Sequence, residues 1–482
     1  MTMWFMTFEK KQIVKKSIDF DRWYTDVILR GELADYSPVK GCMIICPYGY
    51  EVWERIQDYL DAKFKELGVK NAYFPLFIPN SFLKREKEHV EGFSPQMAVV
   101  TIGGGEKLSE PLVVRPTSET IMYDAYSRWI QSYRDLPLLL NVWNNVVRWE
   151  KRTYLFLRTT EFLWQEGHTA HATFEEADSF ARKILKIYQK FDEEILGIPV
   201  LVGKKSQSEK FPGAAITYAL EALMPDGKVI QMGTSHHLGD NFAKVFNIRY
   251  LDKEGKLQYV WQTSWAETTR VIGAFIMAHG DDQGLILPPK IAPIQVVIIP
   301  MSHSGAAAQK CDEIKRELEE KGIRVKIDER IEKTVGWKFN EWELKGVPVR
   351  IEVGEKEIES KELTVVRRDK NEKLKISLSA NYLSDLEEIL MEIQKNLFER
   401  MKKYREENTR QVSDYAEFKE IMKTKKGLIY AFWCEDPTCE AKIKEETKAT
   451  TRVLPLDAKE EKGKCVNCGK SARSRWYFAQ AY

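Results

Sequence analysis

No apolar stretch of this 482-residue chain is long enough to cross a membrane as a helix. The longest runs, such as residues 294–300, have the length of a strand, whereas a spanning helix needs about 18 or more apolar residues. The apolar start at residues 1–8 is followed by lysines and by no small-residue cleavage site, which is the wrong order for a signal peptide. We therefore expect a cytoplasmic protein that does not enter a membrane.

The sequence also has little net charge. Lysine plus arginine number 74 and aspartate plus glutamate 72, so no strong overall field indicates a polyanionic partner. Internal repeats and low-complexity tracts are absent. With 43% hydrophobic and 30% charged residues, the composition is that of an ordinary folded protein and excludes a disordered chain. At about 100 to 200 residues per domain, the length predicts two to four domains.

Cysteine is scarce, with seven in the chain, and its distribution is uneven. Four gather near the C-terminal end: Cys434, Cys439, Cys465 and Cys468. Such clustering in a cytosolic chain favours a metal over disulfide bonds. The Cys-x4-Cys and Cys-x2-Cys pairs stand 25 residues apart and suit tetrahedral thiolate coordination, so we expect a structural zinc ion. The alternative is four free thiols in a small domain.

Residue patterns predict an α+β first part of the chain. Apolar residues recur at helical spacing through residues 50–67, and Gly68 follows as a C-cap. Residues 69–79 have the composition of a strand, which Pro75 confines to an edge or an interface. Further predicted elements are strands within residues 138–172 and 229–238 and a helix at 265–278. These elements indicate an antiparallel sheet with helices packed on it.

A proline-rich stretch at residues 287–293 cannot continue a helix and marks a domain boundary. We therefore place the first domain at residues 1–288. Beyond it, a βαβ unit and two more strands are predicted, with strands at 295–299, 323–327, 347–353 and 363–367 and a helix at 306–321. This α/β domain occupies residues 289–380. Residues 381–482 hold a helical connector, predicted at 384–426, and a small α/β domain with the clustered cysteines.

Aromatic and polar side chains alternate along the segment that ends at His168. Because alternate residues of a strand share a face, Phe162, Trp164, Glu166 and His168 are expected on one side together. Two flat apolar walls and two polar groups on one face suit a pocket for a small amino acid. The pattern fits equally a half-buried strand whose Glu166 and His168 point into solvent.

Three segments in a fixed order resemble the motifs of the class II aminoacyl-tRNA synthetases. Arg148-x-Glu150, a loop and Arg158 resemble motif 2. The long helix with Pro75 resembles motif 1, which forms the dimer interface of the class, and residues 268–270 resemble motif 3. The resemblance implies a homodimer with a class II catalytic domain.

Four further segments resemble the prolyl-tRNA synthetases of the archaeal/eukaryotic type: residues 115–119, 164–168, 231–239 and 279–284. The resemblance implies a proline–tRNA ligase that activates L-proline with ATP and loads it onto the 3′ end of tRNA(Pro). It makes residues 1–288 the catalytic domain, 289–380 the anticodon-binding domain, and 381–482 the helical connector and zinc-binding domain. The implied cofactors are ATP with its Mg²⁺ and a structural Zn²⁺.

The resemblance also assigns roles to single residues. Those expected to hold proline are Thr117, Glu119, Arg148, Trp164, Glu166, His168 and His236. Those expected to bind ATP and its metal are Arg148, Glu150, Arg158, Thr159, Gln231, Thr234, Thr268 and Arg270. Arg148 and Arg270 are the expected catalytic residues, since in-line attack on the α-phosphorus needs charge stabilisation more than proton transfer. Lys356 and Glu357 are the candidates for anticodon contacts.

Several alternatives stay open on the sequence. Arg148 could form only a surface salt bridge with Glu150. A threonyl enzyme would need a zinc ligand set in the pocket, which the sequence does not reveal, and a non-catalytic paralogue is the remaining candidate. About ninety residues separate motif 2 from motif 3, where bacterial-type relatives carry an editing domain, so we expect no editing by this chain. Residues 266–267 are Ala-Glu where relatives usually carry glycine, and Tyr482 is expected to fold towards the active site rather than fray.

Overall fold

The computed structural model describes residues 13–83, 97–302 and 304–482, so the apolar start at residues 1–8 lies outside the described part. Its largest sheet has eight strands. In spatial order these are Leu454–Pro455, Val200–Lys204, Ile216–Leu223, Val229–Gly239, Trp261–Thr268, Glu161–His171, Leu138–Val147 and Lys70–Asn71. Neighbours run antiparallel except at the Lys70–Asn71 edge, which is parallel. The predicted antiparallel sheet with helices is confirmed.

Large aromatic side chains join the helices to this sheet. Trp265 is fully buried, and its ring centroid lies 4.8 Å from that of Phe64 on the helix Pro47–Glu66. Gly167 on the neighbouring strand makes room for the indole, because a Cβ there would lie 2.1 Å from the Trp265 ring. The helix Phe174–Lys190 covers the same core with its buried apolar side chains. The glycine between Glu166 and His168 therefore serves packing.

The helix predicted at residues 265–278 is wrong at its start. The helix is Arg270–His279, and the residues before Thr269 belong to the strand Trp261–Thr268. That strand is hydrogen-bonded along both edges, to Val229–Gly239 and to Glu161–His171. The sequence pattern at the start of the predicted helix fits a helix or a strand, and hydrogen bonding to strands on both sides makes it a strand.

The strand predicted at residues 69–79 forms two short strands. Lys70–Asn71 pairs at the edge of the large sheet, whereas Phe77–Pro79 belongs to a separate three-stranded sheet with Ala98–Gly103 and Glu106–Val114. Pro75 lies in the break, where the missing N–H removes no ladder hydrogen bond. The prediction of one strand over residues 69–79, with Pro75 inside it at an edge or an interface, is therefore wrong, because Pro75 lies in no strand.

The α/β unit begins after the proline-rich stretch. Its five strands in spatial order are Val325–Ile327, Val296–Pro300, Val349–Val353, Glu362–Arg367 and Glu372–Ser377. The first three are parallel, as a βαβ unit requires. Its helices are Ala306–Glu320, Val335–Leu344, Glu355–Ser360 and the long Tyr382–Glu407. Leu287, Ile291 and Ala292 are buried in the core of the first domain, so the linker packs against it.

The C-terminal unit is built into the catalytic sheet. It has the strands Thr409–Gln411, Leu428–Trp433, Ser474–Ala479 and Thr450–Thr451 and the helices Tyr415–Thr424 and Pro437–Thr447. Its segment Leu454–Pro455 adds an edge strand to Val200–Lys204. Arg452 Nη2 lies 2.8 Å from a carboxylate oxygen of Glu221, which also pairs with Lys205. In the described parts of the chain, no helix is long and apolar enough to cross a membrane.

Candidate active site

A cavity of about 390 Å³ opens on the catalytic sheet. Its walls come from the loop before the helix Glu119–Trp129, from the motif 2 strands and loop, and from the strands Val229–Gly239 and Trp261–Thr268. The predicted site residues that line it are Thr117, Glu119, Arg148, Glu150, Arg158, Thr159, Trp164, Glu166, Gln231, Thr234, His236, Thr268 and Arg270. His168 lies directly behind this wall. The structure therefore brings the predicted proline and ATP residues together.

One end of the cavity is a group of buried carboxylates. Glu166 accepts hydrogen bonds from the Ser118 N–H at 3.1 Å, from Asn144 Nδ2 at 3.2 Å and from the Ser118 hydroxyl. Glu119 accepts from Ser264 Oγ at 3.2 Å and from the Thr117 hydroxyl. Both carboxylates are about 2% exposed. These donors fix two acidic groups at the base of the cavity, where a bound ammonium group would be their natural counterion.

His168 connects the carboxylates to the helix behind them. Its Nε2 lies 3.3 Å from Glu166 Oε2, and its Nδ1 lies 3.2 Å from the Tyr123 hydroxyl. Burial alone would lower the pKa of His168, but the charges of Glu119 and Glu166 outweigh it and raise that pKa. Glu166 and His168 are 2% and 1% exposed. The alternative in which both point into solvent is therefore wrong.

Arg148 lies in the wall between the carboxylates and the motif 2 loop. Its guanidinium carbon is 5.2 Å from the Trp164 ring centroid and 5.5 Å from that of Phe162, and its Nε donates to the Pro116 carbonyl at 3.0 Å. Burial lowers the pKa of Arg148 to about 10, so the group stays cationic at neutral pH. Glu150 forms its ion pair with Arg158, at 2.9 Å. Arg148 thus presents a positive charge to the cavity over two aromatic faces.

The opposite end of the cavity is basic and includes a helix N-terminus. Arg270 begins the helix Arg270–His279, and its Nε donates to the Leu157 carbonyl at 3.1 Å. Its backbone N–H donates to Thr268 Oγ1 at 3.1 Å. The buried Thr159 hydroxyl has no hydrogen-bond partner among the described residues. Guanidinium groups, a helix dipole and an unused hydroxyl at one place form a site suited to phosphate.

Two carboxyl groups are buried beneath the motif 3 strand. Glu267 Oε1 accepts from the Thr268 N–H at 3.1 Å, while Glu267 Oε2 and both oxygens of Asp192 have no hydrogen-bond partner among the described residues. Gly233 leaves space for the carboxyl, because a Cβ there would lie 2.7 Å from Glu267 Oε2. Burial raises the pKa of both acids, and the charge of Glu267 raises that of Asp192 further. The departure at residues 266–267 therefore places a buried acid in the cavity wall that also includes Arg270.

Comparison with known proteins agrees with this geometry along the whole chain. The tRNA synthetase class II core domain (G, H, P, S and T) matches residues 104–279, the anticodon binding domain matches 295–386, and the prolyl-tRNA synthetase C-terminal family matches 415–482. The proline–tRNA ligase of Natranaerobius thermophilus is 51% identical over 477 residues, 98% of each chain. That of Prosthecochloris aestuarii is 52% identical over 481 residues, 98% of this chain and all of the relative. The chain belongs to the proline–tRNA ligases.

A solved structure of the family is similar in fold throughout. The prolyl-tRNA synthetase from Cryptosporidium parvum, complexed with halofuginone and AMPPNP, has a TM-score of 0.94 and 43% identity, covering 98% of this chain and 100% of that one. Membership of the proline–tRNA ligases removes both the threonyl enzyme and the non-catalytic paralogue from the alternatives. The residue roles in this ligase remain predictions.

The four clustered cysteines of the ligase have a geometry that fits zinc. Cys439 Sγ lies 3.6 Å from Cys465 Sγ, Cys434 Sγ lies 3.6 Å from Cys468 Sγ, and all four sulfurs lie within 4.8 Å of one another. A tetrahedral ion with Zn–S bonds of about 2.3 Å would hold its sulfurs roughly 3.8 Å apart. A second group of potential ligands, Glu119, Glu166 and His168, was not foreseen from the sequence. Hydrogen bonds from neighbouring hydroxyl and amide groups already occupy its carboxylates.

The other predicted residues lie apart from the cavity. Lys356 and Glu357 are on the helix Glu355–Ser360 of the α/β unit, where Lys356 is exposed and Glu357 accepts a 2.8 Å hydrogen bond from Thr364 Oγ1. Tyr482 is anchored, because its N–H donates to the Val229 carbonyl at 3.3 Å. The alternative of a frayed chain end is therefore wrong for this residue.

Some residues of the site escaped the sequence analysis. Ser118 lies within a recognised segment but was given no role, although two hydrogen bonds hold Glu166. Asn144 and Ser264 reach the carboxylates only through strand pairing. Phe211 lines the cavity with its ring centroid 4.6 Å from that of His236, and its loop carries no motif. Burial lowers the pKa of His236 to about 4, so this imidazole is neutral beside the cavity.

Proposed function

We propose that this cavity is where the ligase joins L-proline to ATP and from which it transfers the prolyl group to tRNA(Pro). The observation that carries the proposal is the meeting of Arg148, Arg270 and a buried carboxylate group in one cavity of about 390 Å³. The carboxylates Glu119 and Glu166 suit a secondary ammonium, and the guanidinium groups suit phosphates. Each end of the cavity thus matches one substrate.

In this proposal the proline carboxylate attacks the α-phosphorus in line. A carboxylate oxygen–phosphorus bond forms, the bond to the bridging oxygen breaks, and pyrophosphate leaves with its electron pair, so no proton transfer is needed. Arg148 stabilises charge on the α-phosphate, and Arg270 holds the outer phosphates. Trp164 forms the wall for the pyrrolidine ring. The remaining nucleotide contacts are assigned to Glu150, Arg158, Thr159, Gln231, Thr234 and Thr268.

Magnesium is expected to arrive with the nucleotide and would neutralise phosphate charge there. The Cryptosporidium parvum enzyme is complexed with AMPPNP, an ATP analogue, which supports ATP as the nucleotide of this ligase. We assign the metal contacts to Gln231, Thr234 and Thr268, which line the cavity and carry oxygen atoms of the kind that a hard cation prefers.

The direct test is amino-acid-dependent exchange of pyrophosphate into ATP without tRNA. We expect exchange with proline, and weaker exchange with alanine and cysteine, because an apolar pocket gains only about 1–3 kcal/mol of discrimination for each methylene that a smaller amino acid lacks. Absence of exchange with every amino acid, or a preference for threonine, would refute the assignment. In a second assay, which follows the hydrolysis of alanyl-tRNA(Pro) over time, we expect the ester to persist. The described segments between motifs 2 and 3 belong to the catalytic sheet and the elements packed on it, so we expect no separate editing domain there.

We also infer a homodimer through the motif 1 region. Large apolar side chains are exposed beside Pro75, namely Tyr73 at 76% and Phe77 at 44%. Two more are exposed on the strand Ala98–Gly103 of the same three-stranded sheet as Phe77 and on the helix Glu119–Trp129, namely Ile102 at 63% and Trp129 at 51%. Sedimentation should give twice the chain mass of 56.1 kDa. Phe77→Asp should shift the mass towards the monomer, while Leu257→Asp, at an equally exposed position of the hairpin Arg249–Leu251 and Leu257–Tyr259, should not. A monomeric wild type would overturn this inference.

The remaining assignments follow the same proposal. The four clustered cysteines would hold one structural Zn²⁺, and Lys356 and Glu357 would face the anticodon. We also place the ligase in the cytoplasm. Charging of tRNA accompanies protein synthesis there, and cysteine thiols stay reduced and able to bind a metal in that compartment.

A further inference from the structure

A second cavity, of about 780 Å³, adjoins the active site. The two share the wall residues Glu150, Arg158, Gln231 and Arg270, so the second opens directly beside the first. Its far wall comes from the C-terminal unit: Lys444, Lys448, Thr450, Arg452, Ala481 and Tyr482. The proposed activation of proline uses none of these residues.

Positive charge predominates around this cavity. Six basic side chains line it, Arg152, Arg158, Arg270, Lys444, Lys448 and Arg452, against the two acidic side chains of Glu150 and Glu209. Arg158 is paired with Glu150 at 2.9 Å, and Arg452 is held by Glu221. The charges of the other four, Arg152, Arg270, Lys444 and Lys448, are therefore available to bind an anionic ligand.

Two of these cations lie at the end of one helix. Lys444 is in the last turn of Pro437–Thr447, with its side chain 63% exposed and its ion-pair partner Glu209 at 4.0 Å, the limit of such a contact. Lys448 caps the same helix in the left-handed conformation, with φ of 60°. Its side chain is exposed and forms no ion pair or hydrogen bond within the described residues. Arg152, across the cavity, is likewise exposed and without a described ion pair.

We propose that this cavity binds the phosphodiester backbone of the 3′-terminal strand of tRNA(Pro), with Lys444 and Lys448 contacting its phosphates. The inference rests on the proposed function, because the strand must end in the active-site cavity. Lysine ammonium groups along an open groove can contact successive phosphates of a single nucleic-acid strand. Pockets of about 300–1,000 Å³ hold drug-sized ligands, so a cavity of 780 Å³ is larger than pyrophosphate alone requires.

The test uses the Lys444→Ala/Lys448→Ala double variant and the matched control Lys442→Ala. Lys442 is on the same helix, pairs with Glu446 at 3.9 Å and lines neither cavity. Proline-dependent pyrophosphate exchange without tRNA and aminoacylation over a range of salt concentrations are measured for all variants. We expect the double variant to raise the KM for tRNA(Pro) by about tenfold or more. The slope of log KM against log salt should fall by about 0.7 for each lost phosphate contact.

Exchange should stay at the wild-type rate in both variants, which also shows that the double variant is folded. A double variant with an unchanged KM for tRNA(Pro) would overturn the proposal. A raised KM for pyrophosphate with an unchanged KM for tRNA would also overturn it and make the cavity a pyrophosphate path. Failure of the proposed function is distinguishable, because the wild type would then show no proline-dependent exchange at all.

Discussion

The guanidinium carbon of Arg148 lies 5.2 Å from the centroid of the Trp164 ring, in the wall shared by the two ends of the active-site cavity. Arg148 directly follows the strand Leu138–Val147, and Trp164 lies in its antiparallel partner Glu161–His171. Strand pairing therefore sets the distance between the predicted phosphate-binding group and the predicted proline-binding wall. A fixed distance of this kind is what catalysis by positioning requires.

Replacing Glu166 by glutamine should weaken proline binding selectively. Glu166 is buried, and glutamine has nearly the same size and shape without the negative charge. A hydrogen bond to a charged group is worth about 1.5–3 kcal/mol, so the KM for proline in the exchange assay should rise about tenfold to a hundredfold. The KM for ATP should be nearly unchanged.

Glu161→Gln is the matched control for that experiment, because Glu161 begins the same strand and does not line the cavity. It should leave both constants at their wild-type values. An equal rise in the KM for ATP and for proline in Glu166→Gln would contradict the assignment of this carboxylate to the ammonium group.

Glu267→Gln should stabilise the protein, and more so as pH rises. Burial raises the pKa of Glu267 above its usual value near 4.5, so the folded protein keeps a proton that the unfolded chain releases above that pH. Stability is therefore lost as pH rises towards the raised pKa, and glutamine removes this loss. The difference in free energy of unfolding between variant and wild type should grow from about pH 5 to about pH 8 in denaturant titrations.

Asp192→Asn should act in the same direction, because the two buried acids raise each other's energy when both are charged. The two effects should not add, since either amide removes one of the two charges. A pH-independent difference for both variants would show that the acids do not titrate abnormally.

Zinc content should follow the four clustered thiols. We expect one zinc ion per chain by elemental analysis, with loss of the metal in Cys439→Ser and retention in Cys42→Ser, whose thiol lies outside the cluster. Loss of zinc should also lower the thermal midpoint, because the unit that holds it supplies the edge strand Leu454–Pro455 of the catalytic sheet. A metal-free wild type with the same midpoint after chelation would contradict a structural zinc.

Site residues could be predicted from the sequence where they lie in a recognisable motif or at the regular spacing of one strand. Alternation in a strand correctly put Trp164, Glu166 and His168 together, and ordered motifs brought Arg148 and Arg270 to one cavity. The same patterns could not reveal Asn144, because its place opposite Trp164 depends on the register between two strands. Register is a long-range property, and a slip of one residue would turn Asn144 to the other face.

Long-range pairing also explains where the predicted elements fail. Residues 265–268 are predicted as the start of a helix, yet pairing with neighbouring strands holds them extended, on both sides at Trp265 and Ala266 and on one side at Glu267 and Thr268. Leu454–Pro455 joins a strand that lies about 250 residues earlier, so the contribution of the C-terminal unit to the catalytic sheet has no local signal. For this reason the boundary at residue 381 remains a prediction.

The central claim is that Arg148 stabilises charge on the α-phosphate, and proline-dependent ATP–pyrophosphate exchange in Arg148→Ala tests it most directly. The control is Arg128→Ala, an exposed arginine that pairs with Asp124 and does not line the cavity. With an unchanged thermal midpoint, Arg148→Ala should lose about a hundredfold or more in exchange rate, as expected for removing one preorganised donor. An exchange rate within about threefold of the wild type, matching Arg128→Ala, would contradict the claim.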